Sequence, residues 1–412
     1  MENILSTLQR ISDNPIKTYP NQGYEYVMCY KRKKLIRATN EEQVRQAFIQ
    51  YILDEEGIHP NLIEVEYQVK KVNKKASLDR MDIVLFKDET SDYPEIVLEL
   101  KATNVAITER TLNQAKKYTS KIGAKYIILY NGHTLEAFTV NGDNSERIEF
   151  QTIKELLKSN YDVIDEPWNW TKSSEKDLSS KVYLEDYVEE KVWFGLKDQD
   201  RYILSNDTPL QKLPHIIRLL DFIFDNDSDF LSIKPQTSSV IEDQKFIPWS
   251  YTAFGGHSFD ELYRSIVLED KETGDVFSAK FAIYSYDLIH IETNELFESS
   301  HRGTYIMVGI DFGEYSSHSL ELKFDKYGAI TDEGSMEIIH DGAITIRTRR
   351  KNQLTIDFIN EHMPSLIKNN RIYLGKLPNY GPYKPDEKDV CELLANMIDY
   401  AYLRYKMRMV YG

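Results

Sequence analysis

The sequence predicts an α/β domain followed by a β-rich α+β domain. Three observations lead there. β-type runs and helical periods alternate through the first 150 residues, a polar stretch then breaks the apolar pattern, and alternating strand patterns dominate beyond it. At 412 residues, two domains are the natural expectation.

Residues 1–40 form a lead-in: a short helix carrying Ile4, Leu5, Leu8 and Ile11, then extended segments at Tyr24–Tyr30 and Leu35–Ile36. The next helix has a marked start. Thr39 or Asn40 caps it, Glu41 and Glu42 lie in its first turn, and Val44, Phe48 and Ile52 recur every four residues. Gly57 and Pro60 stop it near Glu56. Strand runs follow at Leu62–Val72, Met81–Phe86 and Glu95–Ala102, separated by polar turns. A polar helix is predicted over Thr108–Ile122, then strands Lys125–Tyr130 and Thr134–Val140 about the turn Asn131-Gly132-His133. The order β-β-β-α-β-β behind a helix makes residues 41–150 one α/β domain.

The polar stretch Ser159–Ser180, which includes Pro167, places a linker within 151–180. Over 181–412 a helix is predicted at Pro214–Phe224, then strands such as Phe277–Ile283, Tyr305–Ile310, Leu320–Phe324 and Ala343–Ile346. Two helices close the chain. One runs Leu354–Lys368, stopped or kinked near Pro364, and the other Asp389–Met409, with Val390, Leu393, Leu394, Met397, Ile398 and Ala401 on one stripe.

The net charge of −15 is unevenly placed. Residues 1–150 hold 21 of the 51 basic and 22 of the 66 acidic side chains, net −1, so residues 151–412 carry −14. A near-neutral first part with local lysine clusters can grip phosphates, whereas the acidic remainder is unsuited to wrapping duplex DNA unaided. Two cysteines, Cys29 and Cys391, exclude a disulfide framework and a CxxC metal site, as expected for a reducing cytoplasm. The start of the chain has no leader-like pattern, and no apolar run reaches the roughly 20 residues of a membrane span, so a cytoplasmic location is expected.

The chemistry-bearing residues are Asp82 in Arg80-Met81-Asp82-Ile83-Val84 and the pair Glu99, Lys101 in Val97-Leu98-Glu99-Leu100-Lys101. Side chains alternate along a strand, so Glu99 and Lys101 share the face opposite Leu98 and Leu100. Two nearby carboxylates repel and shift each other's titration unless a divalent cation shares them. Mg²⁺ suits such a pair because it takes one or two carboxylates, keeps several waters and accepts substrate phosphate. A neighbouring ammonium orients the attacking water, so Asp, Glu and Lys in this arrangement make a minimal phosphodiesterase site. Each motif alone also fits the solvated face of a sheet. The helix that follows adds Gln114 and Tyr118 at i, i+4 on one face, with Lys116, Lys117 and Lys121 nearby.

Taken together, residues 41–140 resemble the N-terminal nuclease domain of type I restriction enzyme R subunits, a branch of the PD-(D/E)XK nuclease superfamily. The resemblance runs through Glu41-Glu42-Gln43-Val44-Arg45-Gln46, Ile63-Glu64-Val65-Glu66-Tyr67-Gln68-Val69, Arg80–Val84, Val97–Ala102, Gln114-Ala115-Lys116-Lys117-Tyr118 and Tyr126–Gly132. It implies a PD-(D/E)XK-type fold with a central mixed sheet, with Asp82 and Glu99 binding the metal. It further implies that Lys101 positions the attacking water, that Gln114 and Tyr118 form the family's Gln-X-X-X-Tyr motif, and that Glu42 is the additional acidic residue of the first helix, with Glu41 adjoining it. Met81 replaces the superfamily's proline and touches no ligand. The implied cofactor is Mg²⁺, with Mn²⁺ as a substitute. R subunits continue into an ATP-driven motor, but no Gly-X-X-X-X-Gly-Lys-[Ser/Thr] loop occurs here, so neither ATP use nor DNA translocation is expected.

Residues 181–412 carry no comparable motif. The nine histidines form no HxH, HxxxH or HExxH cluster, and single ones such as His257, His290 and His318 read as structural. Asp311-Phe312-Gly313-Glu314 lies where a strand meets a turn, and Arg347-Thr348-Arg349-Arg350-Lys351 reads as a solvated strand end. This part is expected to recognise a trigger or dock a partner. The expected function is Mg²⁺-dependent hydrolysis of DNA phosphodiesters in prokaryotic restriction or antiphage defence. The alternatives are an assembly subunit whose nuclease domain is inactive or partner-gated, and a ribonuclease. Phosphate contacts are expected from Lys70, Lys71, Lys74, Lys75, Arg80, Lys116 and Lys117. Expected partners are DNA, a companion defence subunit (a helicase, a methyltransferase or a short Argonaute-like protein) and a second copy of the chain, with no membrane among them.

Overall fold

A computed structural model describes residues 2–14, 16–68, 80–88, 93–142, 144–158, 172–190, 192–194, 200–225, 227–252, 258–289, 301–313, 316–346 and 349–412. The chain divides into two compact units, Met1–Tyr19 with Gly23–Pro167, and Pro20–Gln22 with Trp168–Gly412.

The first unit begins with α1 (Glu2–Asp13), then β1 (Thr18–Asn21), β2 (Tyr24–Met28) and β3 (Leu35–Arg37), which pair as a small sheet. Helix α2 (Asn40–Gln50) starts at Thr39, whose Oγ1 accepts the Glu42 N–H at 3.1 Å, and runs into a π-helical turn at Tyr51–Glu55. Strands β4 (Ile63–Gln68), β5 (Arg80–Phe86) and β6 (Pro94–Leu100), helix α3 (Glu109–Ile122), then β7 (Tyr126–Tyr130), β8 (Leu135–Asn141) and β9 (Asn144–Ile148) complete the domain, followed by the short helix α4 (Ile153–Leu157). The six strands form one sheet in the order β4-β5-β6-β7-β8-β9. Only β6 and β7 are parallel, and α3 connects them, because a parallel pair needs a crossover. The sheet is therefore mixed.

Strand alternation puts apolar residues on both faces. Ile83, Leu85, Ile96, Leu98 and Leu100 pack with Ile4 and Leu8 of α1 and Val44 and Phe48 of α2. On the other face Val84, Phe86 and Val97 pack with Tyr118 of α3, and Ile127 and Leu129 with Ala115. Strands β2 and β3 fall on the expected extended segments, whereas β1, β9 and α4 go beyond the elements the sequence predicted.

In the second unit come α5 (Lys181–Glu190), β10 (Val192–Phe194), β11 (Asp200–Tyr202) and α6 (Leu213–Phe224). Strands β12 (Ser238–Thr252), β13 (Ser258–Asp270), β14 (Val276–Ser285), β15 (Leu288–Ile289), β16 (Thr304–Asp311) and β17 (Ser316–Lys323) follow, with β12-β13-β14-β16-β17 an antiparallel sheet. Then come α7 (Phe324–Tyr327), β18 (Gly328–Ile330), β19 (Met336–His340), β20 (Thr345–Ile346), β21 (Arg349–Arg350), α8 (Asn352–His362), β22 (Ile367–Lys368), β23 (Arg371–Leu377) and α9 (Lys388–Tyr411). The sheet β18-β19-β23-β22 packs with α9 in a core that also takes α6 and one face of the five-stranded sheet.

Several elements depart from the sequence reading. The expected interruption near Pro364 is a full stop: helix α8 ends at His362, and the residues up to Lys368 form a 3₁₀ turn and β22, since proline cannot donate the next helical hydrogen bond. Only Thr345 and Ile346 of the expected strand Ala343–Ile346 are paired. Helix α9 is buried well beyond one stripe, with Asp399, Tyr400, Tyr402 and Arg404 inside as well. Asp399 is satisfied there by the N–H groups of Gln236 (2.7 Å) and Thr237 (2.9 Å). Within the expected linker, Leu178 joins the second unit's core and Glu175 holds Arg218 at 2.7 Å.

Candidate functional site

The site forms where two strands part. The β5–β6 ladder ends at the pair Ile83↔Leu98, and one step further it would bring Asp82 opposite Glu99. There the Leu100 N–H donates to Asp82 Oδ2 at 2.7 Å. The β6–β7 ladder continues through Glu99↔Leu129 and Leu100↔Tyr130, so Glu99 stays on a rigid strand. On β4, Glu66 stands between the pairs Val65↔Ile83 and Tyr67↔Met81 with φ of +55°, a left-handed residue beside Asp82's position in the ladder.

Glu99, Lys101 and Gln114 meet as the sequence predicts. Lys101 Nζ lies 2.6 Å from Glu99 Oε1, and Gln114 Nε2 donates to the same oxygen at 2.9 Å. Glu99 is 2% exposed. Its burial and the charge of Asp82 push its carboxyl up to about 7, against the opposing effect of Lys101. Burial pulls the Lys101 ammonium down, but its hydrogen bond to Glu99 and the charges of Glu99, Asp82 and Glu41 outweigh that and leave it raised. Tyr118 lies in the apolar layer with Val84 and Val97, its hydroxyl 3.5 Å from Gln114 Nε2.

Glu42 is also at the site, joined to it by a residue to which the sequence analysis gave no role. Arg45 Nη2 lies 2.7 Å from Asp82 Oδ1 and 3.5 Å from Glu41 Oε1, and its Nη1 ion-pairs with Glu42. Gln46 donates to Glu42 Oε1 at 2.6 Å and accepts the Tyr30 N–H at 2.7 Å. Burial raises the Glu42 carboxyl, only partly offset by Arg45 and Gln46. The spacing Glu41/Glu42 to Arg45, i+4 and i+3 on a helix, was the available signal. Beyond it, Arg32 holds Glu66 at 2.8 Å.

Of the expected phosphate contacts, Arg80, Lys116 and Lys117 are among the described residues. Lys70, Lys71, Lys74 and Lys75 lie outside the described residues. Arg80 is largely exposed, 3.8 Å from Glu66 Oε1. The Lys117 ammonium lies 5.9 Å from the Tyr118 ring centre. Lys116, two residues past Gln114, is about 200° round the helix from it and leaves the site's face.

The loop after β6 is held by Asn131. Its Nδ2 donates to the Val105 carbonyl at 2.8 Å, and its Oδ1 accepts the N–H groups of His133 (3.2 Å) and Thr134 (2.8 Å). Gly132 has φ of +89°, and a Cβ there would lie 2.6 Å from Thr103 Cγ2. Gly132→Ala is expected to destabilise the first unit by about 1–3 kcal/mol, read as a lowered urea midpoint.

In the second unit, Asp311 and His340 are held in buried polar contacts. Lys280 and Asp311 are a fully buried ion pair at 3.0 Å, and Asp311 also accepts the Gly313 N–H at 2.7 Å. His340 bonds the Tyr400 hydroxyl at 2.7 Å. His257, His290, Glu314, Arg347 and Thr348 lie outside the described residues.

The donor chemistry fits a divalent cation. Glu41, Glu42, Asp82 and Glu99 face the two cations Arg45 and Lys101, a deficit of two positive charges if all are ionised. Among the described residues no three His, Cys, Asp or Glu side chains converge as a metal cage. Mg²⁺ needs none, since it binds through one or two carboxylates with water and phosphate oxygens.

The unit is thus an α/β domain on a mixed sheet with a carboxylate–lysine site where its central strands part. Residues 40–156 match the family model of the type I restriction enzyme R protein N terminus, and this segment is a domain of that kind. No curated protein and no solved structure matches the chain. Among the described residues no helix is long and apolar enough to cross a membrane.

Proposed function

We propose that the chain is a Mg²⁺-dependent endonuclease of the PD-(D/E)XK type that hydrolyses DNA phosphodiester bonds in prokaryotic restriction or antiphage defence. The observation that carries this reading is the meeting of Asp82, Glu99, Lys101 and Gln114 where β5 and β6 separate, in a segment of the R-protein N-terminal family. That family supports a restriction-type nuclease role with DNA as substrate.

Asp82 and Glu99 would hold the ion, which when bound acidifies its water and offsets charge on the phosphodiester. Lys101, fixed against Glu99, presents its ammonium to the attacking water. Gln114 ties α3 to the Glu99 carboxylate and holds its rotamer, and Tyr118 anchors the helix turn that carries Gln114. Residues 181–412 serve as the recognition or docking part.

A partner-gated reading is favoured by one contact, the Arg45 guanidinium on Asp82 Oδ1. Incubation with plasmid, single-stranded DNA and RNA in Mg²⁺, Mn²⁺ or EDTA tests both. DNA cleavage that needs the metal and is lost in Asp82→Ala is the expected result. Cleavage only with a companion protein supports gating, cleavage of RNA alone moves the substrate to RNA, and cleavage that survives Asp82→Ala overturns the assignment.

A further inference from the structure

We propose that Arg45 is the resident counter-cation of the carboxylate site and holds its affinity for divalent ions low. The inference rests on the nuclease reading above. Both oxygens of Asp82 are engaged. Oδ2 accepts the Leu100 N–H and Oδ1 is paired with Arg45 Nη2, each at 2.7 Å. A divalent ion that binds Asp82 must therefore share an oxygen with the Leu100 N–H or with the guanidinium, and in either case it sits beside the Arg45 charge.

The surroundings let Arg45 yield. Its side chain is 8% exposed, so it cannot simply swing into solvent. Glu42 on Nη1 and Glu41 at 3.5 Å from Nη2 keep the charge paired when Asp82 is released. The planar fork of arginine, with separate N–H groups for each carboxylate, allows one contact to break while the others persist. The two arrangements of the site differ by one ion pair, and a fixed positive charge beside Asp82 opposes a second cation in both. Substrate phosphate, by adding ligands and negative charge, then becomes necessary for tight metal occupancy, which limits idle loading of the site.

The test is titration of Mn²⁺ into the full-length chain without nucleic acid, followed by the electron paramagnetic resonance signal of free Mn²⁺ and by calorimetry. Wild type is compared with Asp82→Asn, with Arg45→Gln, whose amide can still donate to Glu42, and with the double variant Glu42→Gln/Arg45→Met. The double variant removes Arg45 together with Glu42, its most buried partner, so that only Asp82 and the more exposed Glu41 lose a counter-charge. Both Arg45 variants are expected to bind Mn²⁺ about 10-fold or more tightly than wild type, and Asp82→Asn to lose the site. A merely structural role for Arg45 predicts the opposite, weaker binding through a misplaced Asp82. A folded Arg45 variant that binds Mn²⁺ no more tightly than wild type, while Asp82→Asn abolishes binding, overturns this proposal and leaves the nuclease reading standing. Absence of any Asp82-dependent Mn²⁺ binding overturns both.

Discussion

Lys101→Met and Glu99→Gln are each expected to lower DNA cleavage by about 10²–10⁴-fold while leaving the protein folded. Glutamine keeps the size of Glu99 and an oxygen for Lys101 and Gln114, which now bond Oε1 at 2.6 and 2.9 Å, but removes the charge that a metal ligand needs. Methionine preserves the apolar stem of Lys101 and removes the ammonium that would orient water. Single-turnover cleavage of labelled DNA, beside a thermal melt of each variant, separates loss of chemistry from loss of fold. Undiminished cleavage in both variants would remove the site from the mechanism.

The second large effect concerns stability in the acidic half. Lys280→Met is expected to destabilise the second unit by about 3–5 kcal/mol, because Asp311 is left charged and fully buried on the adjacent strand. The double variant Lys280→Met/Asp311→Asn is expected to recover most of that loss. The amide can still accept the Gly313 N–H, and no isolated charge remains. Hydrogen exchange of β14 and β16 in urea assigns the transition to this unit. A single variant as stable as wild type would show that water or another group already compensates the carboxylate.

Arg264 illustrates the same economy of buried charge. It is fully buried, pairs with Asp243, and donates to the carbonyls of Asp225 (3.0 Å) and Ser228 (2.9 Å) beyond the end of α6. In sequence, Arg264 and Lys280 are polar residues among apolar strand neighbours, as in an alternating run. That pattern describes a sheet with one wet face, and at these two positions the second face is dry, so their charges have to be answered from within the protein.

Much of the candidate site was legible because it depends on local periods. Strand alternation alone puts Glu99 and Lys101 on one face, helical spacing alone aligns Gln114 with Tyr118, and Thr39 announces the start of α2. Lys116, beside Tyr118, shows where that reasoning stops, since a count of charges in sequence does not say which side of a helix faces the site.

The sequence by itself indicated two parts, most helices and strands of the first unit, and Asp82, Glu99 and Lys101 as the candidate acid, acid and amine, since each follows from composition, periodicity or an ordered set of motifs. Only the tertiary structure decided that β5 and β6 part at Asp82, that Glu99 is dry enough to sit near 7, and that Arg45, 37 residues earlier in the chain, claims one oxygen of Asp82. Those facts belong to through-space neighbours, where desolvation and Coulomb energy fall off over a few ångströms and take no account of distance along the chain.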